Sequence, residues 1–110
     1  MSYPKIAKLV SALLTQTSNG ELNWSQTEKS GMFQASFPRY SVRIYPSNSD
    51  YILQIINELG DIVEEVSDPD LNEVLSDAFQ TMGNLHDAAR RNAMGVESAL
   101  DDILNSLGPF

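Results

Sequence analysis

The chain has 110 residues, and fifteen acidic against seven basic side chains give it a net charge of −8. Such acidity argues against direct nucleic-acid binding and against docking on anionic lipid, because both need clustered cations. The absence of cysteine excludes disulfides, zinc–thiolate sites and thiol nucleophiles. The length and the 42% hydrophobic content predict a single domain over residues 1–110.

The first predicted element is an amphipathic helix that ends at Asn19-Gly20. Five short strands follow it, at about residues 22–24, 33–37, 42–45, 51–56 and 62–66. Short polar turns join these strands, and sequential strands with short connections favour an antiparallel β-meander. The first two thirds of the chain therefore predict a helix followed by a meander.

The last third is predicted to be helical from Ser67-Asp68-Pro69-Asp70, where acids suit the positive end of a helix dipole. Apolar residues then recur in a rhythm close to a heptad seam: Leu71, Leu75, Ala78, Met82, Leu85, Ala89, Val96, Ala99 and Ile103. Gly83 and Gly95 weaken this helix. The tail is therefore one long helix or a helical hairpin packed on the sheet, with two helices favoured, and the fold class is α+β.

No catalytic motif is recognisable: there is no nucleophile elbow, Walker loop or dinucleotide-binding glycine motif. The single histidine, His86, has no metal ligand four residues away on either side, so it is predicted to be a surface or packing residue. We therefore predict a non-enzymatic protein with no cofactor and no metal. A remote alternative is an acid-dependent hydrolase, which requires Asp61 and Glu65 to meet in a cleft.

Basic residues are few, and they define a candidate ligand-binding set: Arg39, Arg43, Tyr45, Arg90 and Arg91. Alternation along a strand places the first three on one face. If the tail packs against that strand, all four arginines converge beside the tyrosine ring and form a pocket for a flat anion such as a nucleotide. The opposing interpretation is that the arginines pair with surface carboxylates.

The apolar rhythm of the tail defines a candidate interface: Leu75, Met82, Leu85, Asn92, Val96, Leu100, Ile103 and Leu107. Part of this seam is needed to cover the sheet, and the rest is left for self-association. A single Asn92 within the seam would fix the register of a helical dimer. Packing within the chain alone is the alternative interpretation.

These observations favour an interaction protein that binds and inhibits or regulates a protein partner with a basic surface, as immunity proteins, antitoxins and phage inhibitors of host defence do. A homo-oligomer formed through the tail is a further expectation. The alternative function is an oligomeric module that binds a nucleotide-like anion. Lys8 interrupts the first apolar run, and no stretch approaches the roughly 20 residues of a membrane span, so a cytoplasmic location without membrane contact is expected.

Overall fold

The computed structural model describes residues 3–108, which contain four helices and five strands. In chain order these are α1 (Tyr3–Ser18), β1 (Ser25–Gln26), β2 (Phe33–Ser36), β3 (Tyr40–Ser47), β4 (Asp50–Asn57), β5 (Ile62–Ser67), α2 (Asp68–Leu71), α3 (Ala78–Met94) and α4 (Val96–Ser106). The strands form one antiparallel sheet in the order β1-β2-β3-β4-β5. This arrangement confirms the predicted α+β fold class.

The sheet has a core face and a polar face, because successive side chains of a strand point to opposite sides. On the core face, cross-strand neighbours form a buried apolar row: Phe33, Ile44, Leu53 and Val66. On the polar face, the adjoining row is Gln34, Arg43, Gln54 and Glu65. An antiparallel sheet with one apolar and one polar face packs its helices on the apolar side.

The helix α3 packs on the core face, where it contacts β1, β2 and β4. Its inward residues are fully buried: Ala78, Met82, Leu85 and Ala89. Gly83 permits a close approach to β4, because a Cβ at this position would lie 3.2 Å from the ring of Tyr51. α1 lies against α3 and adds its apolar side to the same core.

Trp24 connects α1 to α3. Its indole N–H donates to the Thr17 hydroxyl at 2.8 Å, and its backbone N–H donates to the side-chain oxygen of Asn92 at 2.6 Å. The Thr17 hydroxyl in turn donates to the Leu13 carbonyl. Trp24 was predicted to lie within the first strand, but β1 begins one residue later. Its hydrogen bonds join Trp24 to α1 and α3 instead.

The helical tail begins where the sequence predicts, but its first helix stops after about one turn. The amide of Ser67 donates to the carboxylate of Asp70 at 2.9 Å, which is the return bond of a capping box. Asp77 then adopts a left-handed φ of 55°, a conformation that cannot continue a right-handed helix. The predicted seam over residues 71–103 is therefore interrupted, and Leu75 lies between α2 and α3.

Candidate functional site

The tail divides again at Gly95, which ends α3 and precedes α4. Its φ of 66° lies in the left-handed region that favours glycine. Across the junction, Arg91 pairs with Glu97 at 2.8 Å; Arg91 is half-buried and Glu97 is exposed. One continuous helix over the tail is therefore excluded.

α4 is amphipathic, and its apolar side faces solvent. At roughly 100° per residue, the apolar residues occupy one arc of about 140°. We name this surface the α4 stripe; it comprises Val96, Ala99, Leu100, Ile103, Leu104 and Leu107. No residue of α4 is buried, and Ile103 and Leu107 are 56% and 70% exposed.

The charged side chains of α4 are all acidic. Glu97, Asp101 and Asp102 are exposed, and the helix contains no lysine or arginine. The chain as a whole carries a net charge of −8. A surface complementary to α4 therefore needs an apolar groove with basic residues at its margins.

A cleft of about 750 Å³ opens at the base of α4, between the end of α1, one side of α3 and the first turn of α4. Its charged lining residues are Asp87, Arg91 and Glu97. A hydrogen bond from Arg90 at 2.8 Å holds the pKa of the Asp87 carboxyl below its ordinary value. Val96 belongs both to this α4 cleft and to the α4 stripe, so the two surfaces are continuous.

The predicted interface residues divide between the core and the α4 stripe. Met82 and Leu85 are fully buried, so their assignment to an interface is wrong: the chain's own core is their partner surface. Leu75 is half-buried and packs against the same core. The remaining apolar residues of the set lie together on the α4 stripe: Val96, Leu100, Ile103 and Leu107.

Asn92 was predicted to fix the register of a helical dimer. Its side-chain oxygen instead accepts the backbone N–H of Trp24 within the same chain. A sequence pattern shows a polar residue in an apolar seam but not its hydrogen-bond partner, which lies 68 residues away. Asn92 therefore serves the fold rather than a dimer register.

The predicted arginine pocket does not form. Arg43 and Tyr45 lie on the polar face of the sheet, whereas Arg90 and Arg91 lie on α3, which packs on the core face. Arg39 lies in the turn between β2 and β3 and lines a small cleft at that end of the sheet. The prediction was wrong because alternation fixes which residues share a strand face but not which face receives the helix.

The polar face is held together by its own side chains. Arg43 donates to Gln34 at 2.7 Å, and Gln54 donates to Glu65 at 2.7 Å and to the Tyr45 hydroxyl at 3.3 Å. Burial and the neighbouring Glu65 carboxylate raise the pKa of Tyr45. Gln54 is only 7% exposed. This row therefore links β2, β3, β4 and β5 to one another.

The acid pair considered for hydrolysis is not brought together in a cleft. Asp61 lies in the turn between β4 and β5, and Glu65 is hydrogen-bonded to Gln54 on the polar face.

Within residues 3–108, no three His, Asp or Glu side chains are grouped so that they could ligate a metal ion. None of the helices in that same range combines the length and the apolarity that a bilayer span requires.

A second group of exposed apolar side chains lies at the turn end of the sheet: Phe37, Tyr40, Leu59, Ile62 and Val63. Arg39, Glu58 and Asp61 interrupt it in the same turns. The adjacent edge strand β5 carries a bulge, and the amide of Glu65 donates to the Glu64 carboxylate at 2.9 Å. Both features protect an edge strand from pairing with another chain. No charged residue interrupts the α4 stripe, which is therefore the candidate site.

Sequence reasoning missed the charged residues beside the stripe. Asp87 and Glu97 were outside the predicted sets, although Asp87 and Arg90 have the i,i+3 spacing typical of a helical ion pair.

Comparisons with known proteins found no family model, no curated protein and no solved structure that matches this chain. The function is therefore inferred from the chain's own geometry.

Proposed function

We propose that this chain is a non-enzymatic interaction protein. Its helix α4 docks into an apolar groove of a partner protein whose groove margins are basic, and docking inhibits or regulates that partner. The observation that carries the proposal is the α4 stripe, an uninterrupted apolar arc on a helix without a buried residue. Amphipathic helices normally bury such an arc, and contiguous exposed apolar surface marks interaction sites.

The spacing of the apolar anchors supports a groove as the binding surface. Leu100, Ile103, Leu104 and Leu107 stand at i, i+3, i+4 and i+7, which is the pattern of helix-in-groove recognition. Full burial of one such side chain contributes about 1.5–3 kcal/mol. Leu100 and the C-cap residue Leu107 are separated by about 11 Å along the helix axis, so one groove can receive all four anchors.

The charge and length of α4 indicate that the α4 stripe binds a different protein rather than a second copy of this chain. Each copy brings a net charge of −8 and an α4 whose charged residues are all acidic, so two copies repel each other. α4 is shorter than two heptads, whereas a helical dimer seam is sustained over about three or four. Basic groove margins attract α4 and accelerate its association.

Site-specific photo-crosslinking tests this proposal. A benzophenone side chain is placed at Ile103 in the centre of the α4 stripe, and the matched control carries it at Asn105 on the opposite side of α4. Both proteins are irradiated in an extract of the source organism, and the crosslinked protein is identified and then purified for direct binding measurements. The proposal predicts one defined adduct from Ile103 and none from Asn105.

Binding to the purified partner then decides whether the adduct is specific. Affinity is expected to fall as salt concentration rises, because charged groups meet across the interface. The double variant Leu100→Ser with Leu107→Ser is expected to bind at least tenfold more weakly, from the apolar burial that it loses. Binding that responds to neither change contradicts the proposal, as does the absence of an Ile103 adduct. An adduct of twice the chain mass would contradict the proposal and support the predicted homo-oligomer instead.

A further inference from the structure

We infer that a second cleft, between the β1–β2 turn and α3, binds a small organic oxyanion. This anion cleft has a volume of about 300 Å³, at the lower end of the range for small-molecule sites. One wall is formed by residues within 26–33, and the other by His86, Arg90 and Met94. The three α3 residues are spaced four apart, so they line one side of that helix.

The charge of its lining makes this cleft selective for an anion. Its two lysine or arginine residues are Lys29 and Arg90, and among residues 3–108 no aspartate or glutamate lines it. The Lys29 ammonium lies over the Tyr45 ring, 4.8 Å from its centroid, so Arg90 is the anchor for an anion. The α4 cleft differs, because two acids and one arginine line it. The Arg90 guanidinium, in a concavity of a chain with a net charge of −8, attracts and orients an anion.

The turn that forms one wall is fixed by its own hydrogen bonds. The amide of Lys29 donates to the Thr27 hydroxyl, and the amide of Met32 donates to the Lys29 carbonyl, each at 3.2 Å. Gly31 has a φ of 82°, a conformation that favours glycine. His86 Nε2 lies 2.8 Å from the Gly31 carbonyl; a carbonyl only accepts, so Nε2 carries the proton and ties α3 to the turn.

The remaining lining residues fit the apolar body of such a ligand. Phe33 and Met94 both line the cleft, and the ring of Phe33 lies 5.4 Å from that of His86. Arg90 gives one N–H to Asp87, and a guanidinium has five donors, so it can also hold an oxyanion. A phosphate or carboxylate head on a flat apolar body fits these features.

Three probes separate the possible head groups in an NMR titration of the full chain. Inorganic phosphate tests the head alone, adenosine monophosphate tests a phosphate on a flat body, and benzoate tests a carboxylate on one. The readout is the set of backbone amides in residues 27–33 and 86–94. Arg90→Gln removes the proposed anchor, and the matched control Arg91→Gln removes the same charge one residue away, in the α4 cleft.

The expected result is a saturable shift of these amides with adenosine monophosphate or benzoate, and the stronger binder identifies the head group. Arg90→Gln is expected to weaken that binding at least about tenfold, because a charge-assisted hydrogen bond is lost, while Arg91→Gln leaves it nearly unchanged. Equal weakening by both substitutions would show a general charge effect and overturn the inference. No saturable shift with any probe at millimolar concentration would also overturn it.

Discussion

The helices α3 and α4 are neighbours with similar apolar patterns, but they differ in what covers their apolar sides. α3 lies on the core face, and its inward residues from Ala78 to Ala89 are fully buried. α4 follows after Gly95 and has no buried residue. Apolar periodicity therefore predicts that a helix has a partner surface, but it does not predict whether that surface belongs to the same chain.

The largest expected effect compares one leucine from each helix. Leu85→Ala is expected to lower the free energy of unfolding by about 2–5 kcal/mol, because it leaves a cavity in the core. Leu104→Ala on the α4 stripe is expected to lower it by less than about 1 kcal/mol, since the side chain is already half exposed. Urea denaturation of both variants measures the difference. Losses of similar size would show that α4 is packed as α3 is.

The second comparison uses one asparagine from each helix. Asn92→Ala leaves the Trp24 amide without its acceptor and is expected to cost about 1–3 kcal/mol. Asn105→Ala on exposed α4 is expected to stay within about 0.5 kcal/mol of the parent chain. Denaturation followed by Trp24 fluorescence checks both values. If Asn92→Ala were neutral, the connection between α1 and α3 would not depend on this bond.

The junction between the two helices can be tested at Gly95. Gly95→Val places a β-branched residue at a φ of 66° and is expected to cost about 1–2 kcal/mol. Gly95→Asn is expected to cost less, because asparagine tolerates this conformation better. Thermal unfolding by circular dichroism compares the two variants. A Gly95→Val chain that gains helical signal without losing stability would mean that α3 and α4 can merge.

The smallest expected effect concerns the polar face, opposite α3. Burial and Glu65 raise the pKa of Tyr45, so the folded chain favours the neutral phenol. This contribution is fully present below the ordinary tyrosine pKa of about 10 and is lost as pH rises through the raised pKa. Glu65→Gln is expected to reduce that alkaline loss. Urea unfolding at pH values below and above about 10 measures it, with Tyr45→Phe as the control that removes the titration.

The sequence predicted most of the fold because local patterns determine much of it. Alternation identified four strands to within a few residues, and the acids after Ser67 marked the start of α2. The break at Asp77 was missed, because the left-handed φ of this aspartate has no counterpart in the apolar rhythm of the tail. Trp24 was misplaced for a similar reason, since its hydrogen bonds to α1 and α3 are tertiary contacts.

The candidate site was less predictable than the fold. Ile103 and Leu85 belong to the same sequence rhythm, and the assembled core alone distinguishes the exposed residue from the buried one. The arginines were predicted to converge, but Arg43 and Arg90 lie on opposite sides of the sheet. Both the burial of a residue and the side of the sheet on which it lies depend on the whole fold, so sequence periodicity could not predict either of them.

Amide hydrogen exchange of the isolated chain, at several protein concentrations, tests most directly whether the α4 stripe is unoccupied. The structure leads us to expect exchange in residues 96–106 that is much faster than in residues 78–89 and independent of concentration. Protection of α4 equal to that of α3 at every concentration would contradict this account, because α4 would then pack on its own chain. Protection that rises with concentration would also contradict it, because a second copy would then cover the α4 stripe.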